Sequence, residues 1–137
     1  YKIKGPDRIA LITDAMRAAG MPPGESVLGN IQTGLKVIVE DGVAKLPDRS
    51  SFAGSVATAD RLVRTMIQMA DVPLVEAVKM ITNTPARIMG VQNKKGSLVS
   101  GKDADIVIFD KGINIELTLV KGKTVYRKQA EKMARAL

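Results

Sequence analysis

The sequence predicts an α/β fold over residues 1–92, part of a small separate β unit over 93–128 and a helix-prone tail over 129–137. Three observations carry this. Ile9–Ile12 is a short continuous apolar run, the pattern of a strand buried on both faces as in a parallel sheet. Two stretches between Ser55 and Ile81 repeat their apolar residues at three and four, which is helical spacing. Beyond Gly90 the pattern changes to short apolar runs divided by turn signals, which reads as strands.

Taken in order, the first run ends in a glycine- and proline-rich loop, Gly20–Gly24. Leu35–Glu40 alternates, Asp41-Gly42 supplies a tight hairpin turn, and Val43–Leu46 returns. Pro47 has no N–H for a ladder and ends that strand. Ser55–Ala70 reads as a helix with Ala59, Leu62, Val63, Met66, Ile67 and Ala70 on one stripe. Asp71-Val72-Pro73 stops it, and Pro73 starts the next helix, whose buried face is Leu74, Ala77, Val78 and Ile81. Thr84-Pro85 caps a short third helix closed by Gly90. Gly96–Val99, Ile106–Asp110, Glu116–Val120 and Thr124–Arg127 are the predicted strands of the small unit, the last two joined through Lys121-Gly122-Lys123.

Composition narrows the function classes. A hydrophobic content of 45% is that of a folded chain. No apolar run approaches the roughly 18 residues that cross a bilayer, so no membrane partner is expected. With 0 Cys there is no disulfide framework, which suits the cytoplasm. The formal charge of +7 reads as solvated surface in preference to an anion-binding face. Only 3% of residues are aromatic, and no nucleic-acid motif is present, so no nucleic-acid partner is expected. The chain opens on Tyr1 and is read as a piece of something longer.

Asp14 is the most informative residue. It ends the mostly apolar run Arg8–Thr13 and opens a small-residue turn, Ala15–Gly20. Desolvation disfavours a charged carboxylate at the tip of a buried strand, so such a group usually has a partner, a metal or a catalytic task. Its residue type leaves three roles open: metal ligand, general base, or a cap accepting amides of the following turn. Ser50–Ser55 also stands out. Its small residues let a ligand approach the backbone, and a helix opening at Ser55 offers free N–H groups to an anion. From residue types alone, an ordinary serine N-cap is the simpler reading. Lys102 and Asp103 read as solvated turn residues.

Five segments together carry a resemblance: Leu11–Gly20, Val39–Leu46, Phe52–Ser55, Thr84–Gly90 and Gly96–Asp110. They resemble the N-acetylglucosamine-6-phosphate deacetylases, a family of the amidohydrolase superfamily. The last two segments are shared across much of the superfamily. The first and third, in this order and spacing, point to the deacetylases. The resemblance implies the C-terminal portion of a metal-dependent TIM-like barrel plus part of a small β-sandwich. Barrel strands present catalytic groups at their C-terminal ends, where Asp14 falls.

By that resemblance, Asp14 is the catalytic acid/base. It takes a proton from metal-activated water attacking the N-acetyl carbonyl, then protonates the departing amine. Ala53, Gly54 and Ser55 match the segment that contacts the phosphosugar substrate, and the hairpin Leu35–Leu46 is an insertion near the site. The implied cofactor is a divalent metal, zinc or iron. Its ligands in the family are a Glu and two His, which a chain with 0 His does not supply; Asp14 is the one contact to the metal expected here. The intact protein is expected to be a cytoplasmic homodimer, and this chain alone to be inactive. Two other readings stay open: another amidohydrolase, such as a dihydroorotase-like enzyme, and a non-catalytic anion-binding module.

Overall fold

The computed structural model describes residues 1–129. The helical tail expected over Ala130–Leu137 lies outside them. The elements are a 3-10 turn at Pro6–Arg8, strands β1 (Gly24–Leu28), β2 (Leu35–Glu40) and β3 (Val43–Lys45), helices α1 (Ala59–Ala70), α2 (Leu74–Ile81) and α3 (Asn83–Ile88), and strands β4 (Ile106–Phe109), β5 (Ile115–Val120) and β6 (Lys123–Arg127). The strands form two three-stranded sheets, ordered β1-β2-β3 and β4-β5-β6. Every pairing within them is antiparallel. The mixed α/β class is therefore present, but no barrel closes among the described residues.

The predicted hairpin forms as expected. Asp41 and Gly42 have φ of 51° and 72°, the left-handed pair that matches the twist of a two-residue turn. Val37, Val39 and Ala44 face inward and are buried, as the alternation of β2 requires. The sheet has a third strand that the pattern does not announce. β1 pairs with β2 from Gly24 opposite Val39 to Leu28 opposite Leu35. Its sequence, GESVL, starts in the proline–glycine punctuation and lacks a clear alternation.

Helix α1 begins at Ala59, four residues after the predicted start at Ser55. Thr58 is the N-cap residue, in extended conformation at φ −95° and ψ 161°. Ser55 makes a smaller turn of its own, its hydroxyl accepting the Ala57 N–H at 3.1 Å. Asp71, at φ 52°, ends α1 in the left-handed conformation, and its N–H bonds the Met66 carbonyl. The main core lies between the helices: Val63, Val72, Ala77 and Met80 are buried together with Ile113 from the β4–β5 connection. Ile113 holds φ 60°, an unusual conformation for a β-branched residue. Arg64 of α1 donates to the Ile113 carbonyl at 2.7 Å, tying the small sheet to the helices.

Two predicted strands are corrected. Ile9–Ile12 is not part of a ladder. Its Leu11 amide donates to the Met80 carbonyl at 2.9 Å, Ile9 and Leu11 pack on the helical core, and Ile12 is 75% exposed. A strand buried on both faces needs a neighbour on each edge, and among the described residues this run has none. Gly96–Val99 forms a bend and irregular chain rather than a strand. Gly96, at φ 86°, packs against Ala86 and the Thr82 carbonyl, while Leu98 and Val99 are exposed. The third helix starts at Asn83, one residue before the expected cap, so Thr84 is inside it and fully buried. Among the described residues no helix is long and apolar enough to cross a membrane.

Candidate active site

Asp14 follows the extended run that lies on the helical core. It is exposed, which corrects the expectation of a carboxylate desolvated at a buried strand tip. Its backbone sits at φ 47°, a region that aspartate tolerates better than most side chains. The capping role needs the amide two residues on. That amide, Met16 N–H, donates instead to the Ser55 carbonyl at 2.8 Å. The cap reading loses its natural donor, and the carboxylate is presented to solvent at a chain position held by backbone.

The same hydrogen bond joins the two segments singled out in the sequence. Ala15 and Ser55 form an isolated parallel bridge, so Asp14 and Gly54 lie side by side at the preceding positions. Segment Phe52–Ser55 is anchored on its other side too. Phe52 bridges Lys45 of β3 in antiparallel sense, and the Ala53 amide donates to the Ala44 carbonyl at 2.9 Å. Phe52–Ser55 thus works as a short strand between the hairpin and the Asp14 segment.

Each residue of this segment has a distinct environment. Ala53 is buried, at 7% exposure. Gly54 has φ 92°, and a Cβ there would stand 3.0 Å from Met16 Sδ and 3.2 Å from Leu28 Cδ1. Glycine is required on both counts, by its backbone conformation and by close approach. Ser55 keeps its hydroxyl proton available to donate while its oxygen accepts from Ala57. Gly54 and Ser55 line an open cavity of about 340 Å³ together with Phe52, Val43, Gly42 and Arg61. Neither Ala53 nor Asp14 lines it.

Arg61 is a neighbour that sequence reading misses. On the first turn of α1 it reads as an ordinary polar-face residue. In the structure its guanidinium donates to the Gly42 carbonyl at 2.7 Å, pinning the hairpin tip beside the cavity. The end of β2 beside the turn has its own charge lock. Arg49 Nε lies 2.8 Å and Lys45 Nζ 3.2 Å from Glu40 Oε1. Hydrogen bonds from Arg49 first, and then Lys45, hold the Glu40 carboxyl below the usual range.

These residues do not make a metal centre. The chain has 0 His and 0 Cys, and among the described residues no three acidic or imidazole groups converge. A lone carboxylate at Asp14 is an insufficient donor set for a divalent ion. The side chains of the described residues therefore do not fit a resident divalent metal by themselves.

The chain is similar to known proteins of one family. The amidohydrolase family model matches residues 10–125. An N-acetylglucosamine-6-phosphate deacetylase from Lysinibacillus sphaericus is 44% identical over 123 residues, covering 90% of this chain and 30% of the relative. An N-acetylgalactosamine-6-phosphate deacetylase from Escherichia coli O157:H7 is 38% identical over 117 residues, covering 85% and 30%. Among solved structures, a mutant N-acetyl-D-glucosamine-6-phosphate deacetylase from Mycobacterium smegmatis, in complex with N-acetyl-D-glucosamine-6-phosphate, superposes with a TM-score of 0.75 at 33% identity. That match covers 88% of this chain and 31% of the solved one. The chain therefore spans about 30% of the length of these relatives. With most of its length matched by the family model, the chain belongs to the amidohydrolase family.

Proposed function

We propose that this chain is the C-terminal part of an N-acetylglucosamine-6-phosphate deacetylase and contributes its acid/base carboxylate, Asp14. The observation that carries the reading is the Ala15–Ser55 bridge, which seats that carboxylate's segment beside Gly54–Ser55. In the reaction, the Asp14 carboxylate removes a proton from the water that attacks the acetamide carbonyl carbon. The C–N bond then breaks, and the same carboxyl hands its proton to the departing amine. The products are acetate and glucosamine 6-phosphate. Gly54 and Ser55 bind the phosphosugar, the first by allowing close backbone approach and the second through its hydroxyl proton. Ala53 supports them from the hairpin side.

Amidohydrolases generally depend on a divalent metal. A divalent metal, zinc or iron, would supply the activation of water and would be held by ligands outside these residues. On this reading residues 1–92 belong to a TIM-like barrel and residues 93–128 to a small β-sandwich domain. The intact protein is a cytoplasmic homodimer.

A substrate panel tests the proposal. The full-length protein is assayed for acetate release from N-acetylglucosamine 6-phosphate and from N-acetylgalactosamine 6-phosphate, and for opening of a cyclic amide. Fastest turnover on the gluco sugar is expected. The galacto epimer is the second reading, favoured by the relative of that name at 38% identity, and faster release from it would replace the first. Turnover of the cyclic amide alone would overturn both in favour of a dihydroorotase-like enzyme.

A further inference from the structure

The segment Thr84–Gly90 has no part in the reaction described above. Its contacts converge on one place. Thr84 is fully buried, and its hydroxyl donates to the Pro6 carbonyl at 2.8 Å. Arg87 donates to the Asp7 carbonyl. The Asp7 carboxylate faces Lys79 Nζ at 2.8 Å and Arg87 at 3.5 Å. Next to Lys79 on α2, the Met80 carbonyl takes the Leu11 amide at 2.9 Å. All five contacts grip residues 6–11, ahead of Asp14.

Asp14 needs such a grip. It is exposed, and the amide that would fix its side chain, Met16 N–H, is engaged by Ser55. The carboxylate therefore goes where its backbone goes. That backbone has one anchor after Asp14, at Ser55, and one before it, on α2 and α3. Thr84 and Arg87 hold the chain at Pro6 and Asp7, and the Leu11 amide bond to Met80 continues that hold to within three residues of Asp14. The whole run from Pro6 is thus laid on α2 and α3, and a shift of its start is carried along it toward the carboxylate.

We infer that Thr84 and Arg87 are positioning residues for Asp14, clamping the chain that carries it to the helices. This rests on the reading of Asp14 as the acid/base. Misplacing a reacting group by about 1 Å costs up to roughly a hundredfold in rate, so loss of the clamp lowers kcat while leaving substrate contacts at Gly54 and Ser55 in place.

The test uses the full-length protein with Thr84→Val, Thr84→Ser, Arg87→Gln and Asp14→Asn. Deuterium uptake is followed in peptides spanning residues 9–16 and, as an internal control, β4–β6. Thr84→Val is expected to raise uptake several-fold in the first peptide and leave the second unchanged. With N-acetylglucosamine 6-phosphate, kcat falls by about ten- to a hundredfold while KM stays within about twofold. Thr84→Ser, which keeps the hydroxyl, restores both. Arg87→Gln moves both the same way by less, and its half-exposed side chain keeps the test available where Thr84→Val fails to fold. Unchanged uptake over residues 9–16 in the variants that fold overturns the clamp, whatever the activity. Raised uptake with unchanged kcat overturns the positioning role. Full activity in Asp14→Asn removes the acid/base reading and the positioning role with it, while uptake still reports on the clamp separately.

Discussion

Replacing Gly54 with alanine isolates the geometry at the junction between Phe52–Ser55 and the Asp14 segment. Two costs are separable. The first is conformational: φ is 92° at this residue, and an L side chain in left-handed backbone costs roughly 1–2 kcal/mol. The second is steric. The new methyl would stand 3.0 Å from Met16 Sδ and 3.2 Å from Leu28 Cδ1. Both are ends of flexible side chains, so the contact is relieved by shifts of a few tenths of an ångström and falls at the low end of the roughly 1–3 kcal/mol seen for overpacking. The sum is about 2–3 kcal/mol. Urea unfolding of the full-length protein measures it as a lower midpoint at constant slope. A cycle with Met16→Ala divides it. In that background the Met16 share of the steric part goes, while the Leu28 contact and about 1–2 kcal/mol of backbone cost remain. A Gly54→Ala loss below about 0.5 kcal/mol would refute both costs. A loss that vanishes entirely with Met16→Ala would refute the backbone component.

Further predictions concern the rest of the fold. Ile113 is buried among the helices yet holds φ 60°, so Ile113→Ala should lose about 2–5 kcal/mol of core packing. Ile113→Gly should be no less stable than Ile113→Ala, because glycine alone releases the left-handed strain; a clearly more stable alanine variant by denaturant unfolding would contradict this. Asp7 is held below the usual aspartate range by its hydrogen bond from Lys79, and Glu40 by those from Arg49 and Lys45. Folded values below unfolded ones mean that both groups stabilise fully above about pH 4.5 and lose that contribution as pH falls through the lower folded values. Protection from deuterium exchange at residues 6–11 and in the hairpin, corrected for the pH dependence of the intrinsic exchange rate, should accordingly fall only below about pH 4.5; a fall between pH 6 and 8 would contradict the assignment. The purified 137-residue chain, given N-acetylglucosamine 6-phosphate and added zinc, should release no acetate at the intact enzyme's rate, and such release would overturn the view that the metal ligands lie elsewhere.

What can be read from sequence is local. The β2–β3 hairpin is legible because alternation and Asp41-Gly42 encode a pleat and a turn within a dozen residues. The apolar stripes of α1 and α2 are legible for the same reason. Ser55 mimics a helix cap because its hydroxyl does take an amide, but one in a two-residue turn short of the helix. Ile9–Ile12 shows where pattern stops informing: apolar residues encode burial, whereas a ladder depends on which strand lies alongside. The candidate site is legible as two separate segments. Their junction, through Met16 N–H and the Ser55 carbonyl, joins residues far apart in the chain and leaves no local mark. The grip of Thr84 and Arg87 on Pro6 and Asp7 is hidden for that reason too. Asp14's exposure is equally hidden, since apolar neighbours in sequence do not reveal what covers a side chain in space.

Whether Asp14 performs chemistry is the central question. Asp14→Asn keeps the size of the side chain and removes its ability to take a proton. In the full-length protein, kcat for deacetylation of N-acetylglucosamine 6-phosphate should fall by about 10²–10⁴-fold, with bound metal, measured by elemental analysis, mostly retained. Near-normal turnover at the same metal content would contradict the acid/base role and leave Asp14 a structural residue.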